Sequence, residues 1–422
     1  MSQSIVRRLT WLLFIGQGLS SAGYLTSSTI GAIVGAQLSG DPKLAGVPST
    51  VYLLGNAAAA YPAARLMERI GRRRGLCLGY GVGVLGAFIA GIAVINNAFL
   101  PFLLGFALMG VTRGFADLGR YAAAEMHPAD QRARAISLVV LGGTVGAILG
   151  PLLTAPAGEL AERLGYANLA GPWFFSLALY GLGVAIIGVF LKPDPHELSL
   201  ALHHAARAQT ITPPRPASKI LRVPDVQTAM GAMAFGQLVM VMVMTMTSLH
   251  MKHLGHDIAE VSRVITAHTL GMFGMSVFTG RLADRFGRTR MIVIGGGLLI
   301  TACLIAPLSD QTLVLGLALF LLGLGWNFCY VAGAALLTDS LTHNERATLQ
   351  GGNDLTVSLI SASGSLGSGF IVAAQSYAFL NGLGIALTIV PIALAVRLAL
   401  THRAARLALA STEEDDYPPP LT

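Results

Sequence analysis

Charge is scarce in this chain. Only 12% of its 422 residues are Asp, Glu, Lys or Arg, while 54% are hydrophobic. A soluble domain of this length carries about twice that charged share, so a water-soluble globular fold is excluded. Cysteine is nearly missing as well. Cys77, Cys303 and Cys329 stand singly inside apolar runs without a CxxC spacing, which excludes a disulfide framework and leaves buried free thiols. No GxxxxGK[ST] segment occurs, so nucleotide binding and ATP-driven movement are not indicated. What is plentiful is glycine, at 50 residues, which suits close helix packing in lipid.

Apolar runs recur along the chain at the length a bilayer-crossing helix needs, roughly 20 residues. They predict an all-α membrane protein with twelve helices, at 9–38, 47–68, 75–95, 98–122, 135–156, 171–191, 225–251, 260–283, 290–308, 313–339, 349–375 and 378–400. The first run follows Arg7 and Arg8 and continues through Leu38 without a convincing cleavage site. It is read as a membrane helix rather than a signal peptide. Residues 192–224 interrupt the pattern with Pro193, Pro195, Pro213, Pro214 and Pro216. They read as a linker between six-helix bundles at 1–191 and 225–400. Residues 401–422, with Glu413 to Asp416 and three prolines, read as a disordered tail.

Lys and Arg placement sets an expected orientation. With both termini in the cytoplasm, only Lys43, Arg163 and Lys252 fall outside, and Arg113 and Arg263 lie within helices; the rest of the 28 basic residues collect inside. The net charge of +7 is therefore read as topology, and no nucleic-acid partner is expected.

A charged turn is written twice. Ala64-Arg65-Leu66-Met67-Glu68-Arg69-Ile70-Gly71-Arg72-Arg73 returns as Gly280-Arg281-Leu282-Ala283-Asp284-Arg285-Phe286-Gly287-Arg288-Thr289. A second pair, His127 to Ala133 and Leu341 to Ala347, links the fourth and fifth helices of each half. Internal repeats of this kind mark transporters built from two related bundles. The doubled turn resembles the signature loop of the major facilitator superfamily, across nearly the whole chain. The resemblance implies two pseudosymmetric six-helix bundles around a central cavity, alternating access and no catalytic chemistry. It also implies a conformational latch at Glu68, Arg69, Arg72, Asp284, Arg285 and Arg288. The first copy departs from the pattern at Ala64 and at Glu68, which keeps the carboxylate. Gly146-Ala147-Ile148-Leu149-Gly150-Pro151 partly resembles the glycine–proline motif of the superfamily's exporters, and equally reads as a packing kink.

Polar groups at bilayer depth are costly and point to function. Arg113 and Asp117 lie one turn apart on the fourth helix, where they can neutralise each other. Resemblance to the superfamily's helix-four arginine motif implies proton coupling or substrate charge, and a self-contained ion pair is the alternative. Nine of the 14 methionines fall between residues 230 and 275. Met240 and Met244, or Met242 and Met246, pair one turn apart on the seventh helix, near Gln237 and His250, and His268 and Met272 do so on the eighth. Methionine is a flexible packing residue, but thioether with imidazole is also a soft ligand set suited to Cu(I). This spacing resembles the CcoA-type copper importers, as does Gly325-Trp326-Asn327-Phe328-Cys329-Tyr330-Val331-Ala332-Gly333. The resemblance implies Met240, Met244, His268 and Met272 as ligands, with Met242, Met246 and His250 as alternates. Arg113, Asp117, Gln237 and Asn327 would then face the cavity.

His250, His253 and His256 could gather metal at the outer mouth or simply be solvated. The leading expectation is a monomeric inner-membrane importer of copper as substrate, with no cofactor. Riboflavin-like uptake or proton-coupled drug efflux is the alternative. A flavin site would draw on Trp326, Asn327 and Tyr330. A membrane scaffold without transport fits less well, because a static protein needs no doubled latch.

Overall fold

The computed structural model describes residues 3–128, 131–198 and 216–415, and they are helical throughout with no strand among them. All twelve expected helices are present. Helix one is Gln3–Ser28 continued by Gly31–Ser39; helices two and three are Val47–Ile70 and Arg72–Ile95; helix four is Phe99–Asp117 continued by Gly119–Glu125. Helices five and six are Arg132–Arg163 and Gly171–Phe190, and helix seven is Pro224–His253. Helix eight is Ile258–Phe273 continued by Ser276–Phe286, and helices nine to twelve are Arg288–Ile305, Thr312–Asp339, His343–Ala374 and Tyr377–Asp415.

Three of the helices are broken, which the apolar runs did not announce. In helix one, Thr26, Ser27 and Thr29 turn their hydroxyls back onto the carbonyls of Ala22, Gly23 and Leu25. Such back-bonding competes with the helical ladder and loosens it. Helix four breaks at Leu118, and helix eight at Gly274 and Met275. Helix twelve corrects the expected boundary at residue 400. Its Ala-, Leu- and Arg-rich sequence is strongly helix-forming and stays helical to Asp415. The end of the expected tail, the centre of the linker with His203 and His204, and Ala129 and Asp130 lie outside the described residues.

Nine helices among the described residues are long and apolar enough to cross a membrane. Helices one, two and eight fall short, and each of them turns polar groups into a central cavity. Helix eight falls short because its break leaves segments of 16 and 11 residues.

Within the first half, helix five lies against helix one through glycine. A side chain at Gly142, Gly146 or Gly150 would meet the backbone carbonyls of Phe14, Gly18 and Ala22 in turn. Spacing by four puts these three glycines on one stripe, which lets two backbones approach in lipid. This contact explains the glycine–proline segment of helix five as packing. Behind it sits an aromatic core in which Phe102 meets Trp173 edge-on, with ring centroids 5.2 Å apart.

The two halves close on each other at the end away from the termini. Thr50 Oγ1 donates to the Ala362 carbonyl (3.1 Å), and Ser365 Oγ donates to the Gly46 carbonyl (3.0 Å). Ala32 and Ala45 of the first half share an apolar cluster with Met242, Met246 and Leu249 of the second. Helix five also packs on the first segment of helix eight.

Candidate functional site: a cavity between the halves

A cavity of about 420 Å³ lies between the halves, within the size range of small-molecule sites. Helices one, two, four and five line one side, and seven, eight, ten and eleven the other. Each side presents a stacked aromatic pair. Tyr24 and Tyr52 stack at 3.7 Å with 13° between their planes. Trp326 and Tyr330, one turn apart on helix ten, stack at 5.0 Å and 27°. Phe273 meets Trp326 edge-on at 6.0 Å, and the Trp326 indole N–H donates to Gln237 Oε1 at 2.6 Å.

Arg113 and Asp117 pair on the cavity wall. Arg113 Nε donates to Asp117 Oδ2 at 2.9 Å, and Gln17 Nε2 donates to Asp117 Oδ1 at 2.8 Å. A second guanidinium nitrogen of Arg113 reaches Ser21 Oγ at 3.2 Å. Both carboxylate oxygens of Asp117 are therefore engaged, and the pair is neutral as a unit.

The methionines do not form one group. Met240, Met244 and Met272 line the cavity. Met242 and Met246 are buried in the apolar cluster that seals the two halves, and Met251 packs in a core of the second half. His268 is fully buried and does not line the cavity. Its Nδ1 is bonded to the Leu319 carbonyl at 2.9 Å, between helices eight and ten. The expected four-residue set is therefore divided between cavity wall and helix interface. Among the described residues no three His, Cys, Asp or Glu side chains converge as a metal site.

Asn327 also departs from expectation. It is buried away from the cavity and braces the break in helix eight. Its Nδ2 donates to the Met272 carbonyl (2.6 Å) and to Ser276 Oγ (2.8 Å), while Oδ1 accepts from Thr279 Oγ1 (2.6 Å). The broken ladder at Gly274 is thus satisfied from helix ten, as a buried backbone group requires.

The doubled turn has a partner that the sequence reading missed. Arg72 grips Glu125 with two bonds, of 3.0 and 2.5 Å, and Arg288 reaches Asp339 at 3.4 Å. Glu125 and Asp339 both end the fourth helix of their half, so the two ion pairs are pseudosymmetric. In the second copy Asp284 pairs with Arg288 at 2.5 Å. Glu68 is exposed and makes no ion pair among the described residues, and Arg69 is exposed too. Asp194 takes over in the first copy, accepting from the backbone N–H groups of Arg72 and Arg73 at 3.0 Å each. It caps helix three from the polypeptide that follows helix six.

The histidines at and just after the end of helix seven serve different purposes. The His250 ring stacks on Tyr377 at 4.1 Å. His256 bonds to Glu260 Oε2 (2.9 Å) and to the Asp310 carbonyl (2.8 Å), fastening the loop after helix seven to the loop before helix ten. Burial would lower the His256 pKa, but the bonds to Glu260 and Asp310 outweigh it and hold the value above the ordinary one. A raised folded pKa contributes stability that is full below the unfolded value of about 6.5 and fades as pH rises through the folded value. We expect wild-type protein to lose this contribution as pH rises from about 6.5 through the raised folded value, and His256→Ala to flatten that segment of the pH profile of thermal stability. Identical pH profiles for the two proteins would contradict it.

Comparison with known proteins agrees with this architecture. The Major Facilitator Superfamily profile matches residues 13–256 and 228–420. The chain is 35% identical over 401 residues to YdeG of Bacillus subtilis (strain 168), an uncharacterized MFS-type transporter, covering 92% of each protein. It is 31% identical over 394 residues to the riboflavin transporter RfnT of Brucella anthropi, covering 93% of this chain and 96% of that one. The crystal structure of the nucleoside transporter NupG has the same fold, with a TM-score of 0.67 at 16% identity, covering 92% of this chain and 98% of NupG. The chain is a multi-pass membrane transporter and belongs to the major facilitator superfamily.

Proposed function

We propose that this protein moves a planar aromatic organic solute of the riboflavin kind across the bacterial plasma membrane by alternating access. The observation that carries the reading is the pair of aromatic stacks, Tyr24–Tyr52 and Trp326–Tyr330, facing one cavity from opposite halves. Aromatic faces bind flat ring systems by offset stacking. Gln17 on one side of the cavity and Gln237 and Thr269 on the other supply the few oriented polar groups that such sites use. A solute held between the halves is also placed where their rocking can expose it to either side. The arginine-rich turns would act as latches, with Arg72–Glu125 and Arg288–Asp339 making and breaking as the halves move. With both termini cytoplasmic, the sealed end faces outward.

This reading displaces copper as the favoured substrate. A soft-metal relay needs its donors together, and His268 stands outside the cavity that Met240, Met244 and Met272 line. The three cavity thioethers then serve as polarizable walls for a ring system.

The test uses a riboflavin-requiring bacterium without a flavin transporter of its own. Expression of this protein should restore growth on low riboflavin and uptake of labelled riboflavin, with cell copper unchanged. Copper accumulation without flavin uptake would overturn the reading.

A further inference from the structure

We propose that Arg120 is the receiving group for an oxyanion, so that the preferred solute is a planar aromatic bearing a carboxylate or phosphate; this rests on the planar-solute reading above. Arg113, Asp117 and Arg120 follow one another at steps of four and three on helix four, and all three line the cavity. Asp117 is fully engaged by Arg113 and Gln17. Arg120 is left over.

Its guanidinium makes no ion pair with any described carboxylate, and its Nε is buried without a hydrogen-bond partner. It rests over the Tyr121 ring, 4.9 Å from the centroid. Arginine keeps its charge in every protein environment, and its planar fork matches carboxylate and phosphate oxygens. A buried guanidinium N–H without a partner is costly, and a group that supplies an acceptor and the opposite charge would relieve it. Asp354, on helix eleven of the other half, is the acidic residue there whose charge acts on Arg120, without an ion pair between them among the described residues. Tyr330, Trp326 and Arg120 line the same cavity, so the stack and this cation face one space. A ring on that stack would carry its anionic substituent toward Arg120.

Riboflavin and riboflavin 5′-phosphate differ by a single phosphate and serve as the two probes. Binding to the purified full-length protein is read from quenching of flavin fluorescence. The wild type should bind the phosphate ester about tenfold tighter than riboflavin. Arg120→Gln should reduce that preference to about twofold or less, and Arg120→Lys should give an intermediate value, because charge is kept and the fork is lost. Asp354→Asn should sharpen the preference by removing a competing negative charge.

Riboflavin bound as tightly as its phosphate by the wild type would overturn the assignment and leave the proposed function standing. Neither flavin binding would remove both. Equal loss of the two ligands in Arg120→Gln would make the arginine structural. Loss of the preference in Asp354→Asn would mean that Arg120 serves an ion pair across the mouth, and the assignment would fail. The Asp354 and wild-type measurements stand even if the Arg120 variants do not fold.

Discussion

Gly146→Leu is expected to abolish recovery of folded protein. Gly146 faces the carbonyl of Gly18 so closely that even a Cβ would overlap it, and Gly142 and Gly150 make the same approach one turn away on either side. A rigid backbone atom cannot yield as a side chain can. Overpacking of a well-fitted interface usually costs about 1–3 kcal/mol, and separating two backbones along a glycine stripe lies at or above the upper end of that range. Size-exclusion chromatography in detergent should show aggregate in place of a single peak. Gly181, also in the first half, has nothing within 4 Å of its missing Cβ, so Gly181→Ala should purify like the wild type. A monodisperse, transporting Gly146→Leu protein would mean that helices one and five do not meet as described.

Trp326→Ala should weaken solute binding by about tenfold to a hundredfold. Stacking of a flat heterocycle on an aromatic side chain contributes about 1–3 kcal/mol, and each 1.4 kcal/mol is a factor of ten. The substitution also frees Gln237, whose Oε1 accepts from the indole. Because Trp326 is mostly buried, at 9% exposure, its truncation also lowers stability. Trp326→Phe separates the two effects, since it keeps a ring and loses only the N–H donor. Titration of both variants, with thermal unfolding in parallel, should show Phe binding within about tenfold of the wild type and Ala far below it. Equal binding by wild type and Trp326→Ala would remove the aromatic platform from the site.

The architecture could be read from the chain because its causes are local and repeated. Apolar runs of bilayer length specify helices wherever water is absent, and the doubled arginine turn places the division between halves. Even the Arg113–Asp117 pair is legible, since one helical turn separates the two residues and lipid forces them to neutralise each other. The methionines show the limit. Met242 and Met240 are two residues apart on helix seven, so they point to different faces, one into the seal between halves and one into the cavity. Spacing alone does not say which face looks inward.

His268 and Asn327 drew attention for the right reason, the cost of polar groups in a membrane, yet their partners are carbonyls of neighbouring helices. A buried side chain held by a backbone carbonyl cannot be told from a ligand until the helices are packed, and His268 Nε2 stays unpartnered even then. Tyr24 and Tyr52 carried a signal that was there to use. Tyrosine gathers at membrane interfaces, and these two sit inside their helices, facing the cavity. Glu125 and Asp339 were also within reach, because each ends the fourth helix of its half and the repeat relates them. Asp194 gave no such sign, since the chain returns to helix three only in the folded bundle.

The central claim is that one cavity, shared by two aromatic stacks, carries a planar organic solute. Counterflow in proteoliposomes tests it most directly: vesicles holding the purified protein are loaded with unlabelled riboflavin, and entry of labelled riboflavin is followed. The account predicts a transient accumulation of label that is absent from protein-free vesicles and strongly reduced by Trp326→Ala. Entry of label at the protein-free rate, with copper crossing the same vesicles only when the protein is present, would contradict it.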